Sequence, residues 1–184
     1  MRVEKKHAHA YTRYSLLERV DYLSLIRSVV ETRVHKYKSL TVHLPFEIQH
    51  EVVEDLDKAR RFIYFGELLK KLFKIQLYWE NAPWLNYGSW NLKYKNTSWK
   101  HIPLDIDLCL DTGHLMLGQK NKKVFLKKLE KIIEARGRQI KHLHLHENNL
   151  KSDKHVPVPG RIINSKTFKK LTKNRSYIVE RGEV

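Results

Sequence analysis

Six short apolar segments along this chain each end in a histidine, an aspartate or a glutamate: His7 or His9, His43, Glu80, Asp111, His144 and Glu180. Helix-forming stretches separate them. Strand, helix, strand, helix in short units argues for a parallel sheet, because parallel neighbours need a crossover and a helix is the usual one. In such sheets ligands gather at the carboxyl ends of the strands, so the pattern sets polar side chains where chemistry is expected. One such residue means little, since it can cap a loop, pair with a lysine or sit as a hydrogen-bonded core imidazole. Six around one rim are hard to explain as packing.

The densest stretch is residues 140–155, IKHLHLHENNLKSDKH. Read as a strand, it puts Ile140, His142, His144 and His146 on one face and Lys141, Leu143 and Leu145 on the other. Glu147, Asn148 and Asn149 follow, then Asp153 and His155 in a loop. Another strand ends in Asp111-Thr112-Gly113-His114, which puts His114 three residues past Asp111. Glu80, Asp111, His144 and Glu180 together make an O,O,N,O donor set, suited to Mn, Mg, Co, Fe or Zn.

Taken in order, residues 2–10 read as a strand. Ser15, with Glu18 three residues later, reads as a helix start. Leu16, Val20, Leu23, Ile26, Val30 and Val34 then recur at helical spacing as the inward face. Residues 39–45 form a strand closed by Pro45. A second helix, over about residues 48–73, turns Val52, Leu56, Ala59, Ile63, Leu68, Leu69 and Leu72 inward. After the strand at 75–81, residues 83–103 read as a long aromatic loop, a length that in compact domains goes with covering a site. The strand at 104–111 sets Asp105, Asp107, Cys109 and Asp111 on one face. A helix at about 121–135, the histidine strand, a short helix at 165–173 and a last strand, SYIVERG, complete the series.

At 184 residues the chain is expected to form a single domain, 1–184, burying roughly 70% of its unfolded surface. The single cysteine, Cys109, excludes an internal disulfide and a thiolate zinc cluster. The N-terminus carries no signal-peptide pattern, and no run approaches the ~18 apolar residues of a membrane span. The expected setting is therefore cytoplasmic, with no membrane partner. The 36 Lys and Arg against 20 Asp and Glu give a net charge of +16, which draws polyanions such as nucleic acid or phosphorylated small molecules. The basic residues are scattered in pairs such as Lys122-Lys123 and Lys169-Lys170, the pattern of solvated helix faces.

Several of these pieces together resemble the xylose isomerase-like TIM barrels, the superfamily of sugar-phosphate isomerases and epimerases, ketose 3-epimerases and endonuclease IV. The resemblance is carried by Trp79-Glu80-Asn81-Ala82-Pro83, Asp111-Thr112-Gly113-His114, His144-Leu145-His146-Glu147-Asn148, the stretch from Asp153-Lys154-His155 to Pro159-Gly160, and Val179-Glu180. It covers about residues 75–181, in the family's order, and implies that Glu80, Asp111, His144 and Glu180 hold one divalent metal, Mn, Mg, Co or Zn, with His114 beside it. In the isomerase and epimerase branch the substrate is a small carbohydrate. The metal polarises a carbonyl while one glutamate takes a proton from the neighbouring carbon and a second returns it. Glu80 and Glu180 would be those acids. In the endonuclease IV branch a three-zinc cluster activates water to cut DNA beside an abasic site, and the further ligands would correspond to His7 or His9, His43, His114, Asp153 and His155.

Spacing favours the first branch. His144 and Asp153 lie nine positions apart, and Glu147-Asn148 stands where endonuclease IV has Asp-Ser. Leu150 stands where a ketose 3-epimerase would place an arginine that grips substrate. On this alignment His142 lies deeper as a packing or supporting residue, while His146 and Glu147 lie past the ligand, near the substrate. A full barrel needs about 250 residues. The expected fold is therefore α/β, of (β/α) TIM-barrel type, shortened or incomplete at about six strands, with the first and last units missing. Open sheet edges make a homo-oligomer an expected arrangement. A third reading is a non-catalytic remnant that binds metal or polyanions.

Overall fold

Parallel strands joined by helices are what a computed structural model of the chain contains. It describes residues 7–10, 19–44, 46–48, 56–81, 86–87, 92–96, 102–152 and 154–180. These fall into two compact units, one within Lys5–Asp107 and the other centred on Leu108–Val184.

The N-terminal unit runs β1 (His7–His9), α1 (Arg19–Val34), β2 (Ser39–His43), β3 (Phe46–Ile48), α2 (Leu56–Phe73), β4 (Gln76–Glu80), β5 (Asn86–Tyr87) and β6 (Leu92–Asn96). Strand β1 pairs in parallel with β2, and β2 with β4, in a register that sets His9 opposite Thr41 and His43 opposite Glu80. Helices α1 and α2 are the crossovers that parallel pairing requires. Every residue of β2 is buried, as expected for a strand covered on both faces.

The helices bury faces that match the expected ones only in part: Ala59, Ile63 and Leu69 are inward as expected, and other positions are not. On α1 the buried residues are Leu25 and Val29 with Asp21, Ser28 and Thr32, while Leu23 and Val34 are exposed. Ser28 and Thr32 donate to the carbonyls of Ser24 and Ser28, at 3.0 and 2.7 Å. Satisfied one turn back, these hydroxyls can enter the core, which a count of apolar spacing overlooks. On α2 the buried face is Ala59, Phe62, Ile63, Gly66 and Leu69, and Leu68 and Leu72 are exposed. Gly66 explains the rotation, because a β-carbon there would lie 2.5 Å from the fully buried ring of Trp79. The helix can approach the sheet closely only on that side.

Residues 46–48 are strand, so that Ile48, where the second helix is expected to begin, does not start it. With β5 and β6, in the stretch read as a loop, they form a three-stranded antiparallel sheet in the order β3-β6-β5. The expected helix start at Ser15, and residues 49–55 of the expected second helix, lie outside the described residues.

The C-terminal unit runs β7 (Leu108–Asp111), α3 (Thr112–Met116), α4 (Lys122–Arg136), β8 (Ile140–Leu145), α5 (Ser165–Thr172) and β9 (Ser176–Val179). Its three strands are parallel in the order β7-β8-β9, with Asp111 opposite His144 and His144 opposite Ile178. Strand β7 begins four residues later than expected, and Leu104 is 76% exposed. Phe125, Leu129 and Ile132 of α4 are buried, as are Leu110, Leu143 and Tyr177 of the strands and Cys109. No helix among the described residues is long and apolar enough to cross a membrane.

A polar network pins the end of the N-terminal unit. Glu67 accepts from the Trp79 indole at 2.9 Å and lies 3.2 Å from Lys70 Nζ. Asp107 accepts from Lys70 at 2.9 Å and from Gln76 at 2.7 Å. Burial pulls the Lys70 ammonium down, but the hydrogen bond to Asp107 and the charges of Glu67 and Asp107 outweigh it, so its pKa is raised above the ordinary 10.5. A raised folded-state pKa contributes stability that is full below 10.5 and is lost as the pH climbs through the folded value. Lys70→Met is therefore expected to cost about 1 kcal/mol in urea unfolding at neutral pH, allowing for partial exposure. That difference from the unaltered chain should shrink as the pH passes 10.5.

Candidate metal centre

In the N-terminal unit, strand register brings His9, His43 and Glu80 together. Glu80 is the last residue of β4 and has no solvent exposure. Its Oε2 lies 2.8 Å from His9 Nε2 and 3.7 Å from His43 Nε2. The two imidazole rings meet at 61°, with centroids 4.8 Å apart. His9 Nδ1 donates to the Ala10 carbonyl at 2.9 Å, so the other nitrogen is turned to the carboxylate. With the hydrogen of a neutral ring held on Nδ1, Nε2 and the Glu80 oxygen face each other as two lone pairs. A proton or a metal ion lying between the two atoms would satisfy both. His7, the alternative to His9, has its nitrogens against the hydroxyls of Ser39 and Thr41, each at 2.7 Å.

In the C-terminal unit, Asp111 ends β7 with no exposure and caps α3, its Oδ1 accepting from the His114 amide at 2.7 Å. Its Oδ2 stands 3.7 Å from His114 Nδ1 and 3.9 Å from His144 Nδ1. His144 Nδ1 is 3.0 Å from Glu180 Oε1. The other oxygen, Glu180 Oε2, is 3.8 Å from His155 Nδ1. The residues expected here, Asp111, His144, Glu180, His114 and His155, are thus brought together in this unit. Asp153 lies outside the described residues. His142 sits deeper, as expected, with its Nδ1 2.7 Å from the Ser176 hydroxyl.

Two residues placed beyond the ligand by sequence have other positions. His146 is fully buried, its Nε2 2.9 and 3.1 Å from the two oxygens of Asp111. The Thr112 hydroxyl donates to the His146 carbonyl at 2.9 Å and accepts from the His146 amide at 3.2 Å. A β-carbon on Gly113 would fall within the His146 ring. Thr112-Gly113 beside Asp111 was the available sequence signal, legible only once the ring it cradles is known.

Glu147 ties down the returning loop rather than facing a substrate. Its backbone pairs with Val156 at 2.7 and 2.8 Å. Its Oε1 accepts from the Ile162 amide at 2.7 Å and from the Ile163 amide. A β-carbon on Gly160 would lie 2.7 Å from that carboxylate. Asn148 Oδ1 accepts from the amides of Lys154 and His155, at 2.7 and 3.3 Å, which fixes where His155 leaves the backbone.

No family model matches the chain, and no curated protein matches it in sequence. Solved structures do. A D-tagatose 3-epimerase-like protein superposes with a TM-score of 0.66 at 21% identity, over 97% of this chain and 71% of that one. Endonuclease IV from Thermus thermophilus gives 0.62 at 15%, over 97% and 69%. The 3-keto-D-glucoside 4-epimerase of E. coli gives 0.58 at 10%, over 97% and 72%. At such identities the likeness speaks for the fold, and these neighbours are an epimerase-like protein, an epimerase and a nuclease. The chain shares their α/β TIM-barrel-type fold, in a shortened form that spans 69–72% of the length of those three.

Proposed function

We propose that the chain is a divalent-metal-dependent isomerase or epimerase of sugars or sugar phosphates. The observation that carries this reading is the convergence of Asp111, His144 and Glu180, two carboxylates and an imidazole meeting at the ends of β7, β8 and β9. Hard oxygen donors with one borderline nitrogen suit Mn, Mg, Co or Zn. The resemblance adds Glu80 to the set. When bound, the ion would supply charge to polarise a substrate carbonyl.

The side chains divide the remaining work by exposure. Asp111 and His144 are buried and can hold but not reach. Glu180, with 22% of its side chain exposed, touches both the donor set and solvent. On this reading it takes the proton from the carbon beside the carbonyl. Glu80, as the second acid of the resemblance, would return that proton. His155, 35% exposed at the rim, can hydrogen-bond a substrate hydroxyl.

Exchange of deuterium from solvent into the carbon next to the carbonyl of ketoses and ketose phosphates tests this directly. With Mn or Co added, the chain should catalyse exchange. Glu180→Gln should slow it by about 10²–10⁴-fold, and Asp111→Asn should lose the metal. No exchange with any of the four metals would sink the proposal.

A second reading, a multi-zinc phosphodiesterase like endonuclease IV, is favoured by one observation. His9 and His43 at Glu80, and His114 and His155 near Asp111 and Glu180, are more imidazoles than a single ion needs. The +16 charge suits a nucleic acid partner. On this reading zinc-loaded protein should cut a duplex at an abasic site, and His114→Ala and His155→Ala should abolish cutting. An intact duplex at high enzyme concentration would remove it.

A further inference from the structure

We propose that a cavity between helix α1 and strand β1 is a binding site for a small organic ammonium ion, held by Glu31 and the hydroxyl oxygens of Ser28 and Thr32. The cavity has a volume of about 300 Å³, and its described lining residues all belong to the N-terminal unit. That volume is at the lower end for small-molecule sites, about 300–1,000 Å³. Of the groups gathered around Glu80, His9 also reaches the cavity wall. The carboxylates and imidazoles of the C-terminal unit take no part in it, so the inference goes beyond the proposed isomerase reading and does not rest on it.

The helix side of the cavity is polar where a helix laid on a sheet is usually apolar. Ser28, Glu31, Thr32 and His35 line it, spaced i, i+3, i+4 and i+7, so they form one stripe of α1 continued one residue past its end. Such a stripe is ordinary when it stands in water, but this one does not. Thr32 is 1% exposed and Ser28 9%. Both hydroxyls spend their hydrogens one turn back, Ser28 on the Ser24 carbonyl and Thr32 on the Ser28 carbonyl. A hydroxyl that has donated keeps only its lone pairs, so toward the cavity each can accept and not donate. Glu31 is an acceptor throughout. Its Oε1 takes the Arg27 Nε hydrogen at 2.8 Å, but the Arg27 side chain is 81% exposed and water screens its charge.

The opposite wall adds no competing donor. His7 has both ring nitrogens 2.7 Å from hydroxyls, those of Ser39 and Thr41, so it brings ring surface to the cavity. Ala8 and the fully buried Leu40 bring hydrocarbon. At the rim His35 and Tyr37 are exposed, with ring centroids 6.0 Å apart. The ligand's chemistry follows from these surfaces. Acceptors grouped on one side, one of them a carboxylate, select a head that is positive and carries only donors, which describes a primary ammonium. A short hydrocarbon body fits against Ala8 and Leu40. A cation within about 6 Å of an aromatic face is attracted to it, so Tyr37 at the rim favours the same charge. An anion would meet the Glu31 carboxylate and the hydroxyl lone pairs and be repelled.

Titration with n-butylammonium tests this, with n-butanol and butyrate as neutral and anionic probes of similar length. Amide shifts of the isotope-labelled whole chain are followed by NMR at about 0.1 M salt, where the +16 charge is screened beyond about 10 Å. Butylammonium is expected to move the amides of Glu31, Thr32 and His35 saturably and to bind about tenfold more tightly than butanol, while butyrate leaves them in place. Glu31→Gln keeps the side chain's shape at a half-buried position and should weaken butylammonium about tenfold. Arg27→Gln, an exposed change that removes the competing guanidinium, should tighten it. Circular dichroism of both variants checks the fold. Equal affinity for butylammonium and butanol, butyrate moving the same amides, or an unchanged affinity in Glu31→Gln would each overturn the inference, as would the absence of any saturable shift.

Discussion

Asp111 holds a carboxylate with no exposure to water, and much of the C-terminal unit follows from the need to meet its charge. Moving such an ion out of water costs several kcal/mol unless hydrogen bonds and a counter-charge replace the lost hydration. The His114 amide supplies one bond, which requires the chain to turn into α3 directly after the carboxylate. His146 supplies another, which requires its ring to lie over the next residue but one, and so requires Gly113. The Thr112 hydroxyl then holds the His146 backbone, donating to its carbonyl and accepting from its amide. Glu80 poses the same problem in the N-terminal unit and meets it with His9, oriented by a carbonyl on its far side. An apolar core of equal volume would be at least as stable as such arrangements. Buried carboxylates ringed by imidazoles are thus groups that could hold a metal ion.

The sequence was most readable where a physical period is strict. Alternation in β8 and the apolar runs of β2 and β4 predict strands, and the structure has them, with His43 opposite Glu80 and Asp111 opposite His144 as strand-end chemistry requires. Helix faces were less readable. Spacing of apolar residues alone turns Leu23 and Val34 inward, but Ser28 and Thr32 enter the core once their hydroxyls bond to the preceding turn. The antiparallel sheet of β3, β5 and β6 was hidden for a different reason. Its strands are two to five residues long, too short for a period to show, and β3 lies far from the other two in sequence.

The returning loop shows how a position can be fixed by residues that belong to no motif. Glu147 follows two histidines and is easily read as a further acid for the chemistry. Its carboxylate is instead occupied by the amides of Ile162 and Ile163, against a glycine that leaves room for it. Asn148 does the same for Lys154 and His155. Both act on backbone amides, which every sequence has, so no pattern of side chains announces the contact. Their effect is to set the path by which His155 returns toward Glu180, and that path is as much a part of the site as the imidazole itself.

The +16 charge belongs to another length scale. In the C-terminal unit Lys122, Lys123, Lys127 and Lys131 of α4 and Lys166, Lys169 and Lys170 of α5 are exposed. Their field is screened within about 10 Å at 0.1 M salt. Such a field raises the rate at which any anion arrives, whether a sugar phosphate or a nucleic acid, and so cannot tell the two apart. The buried donors are screened far less and act only on what has already arrived. Salt should therefore change encounter and leave the chemistry of the bound state alone. On either proposed reading, the choice between a proton transfer and a phosphodiester cleavage would lie with the carboxylate and imidazole groups at the strand ends.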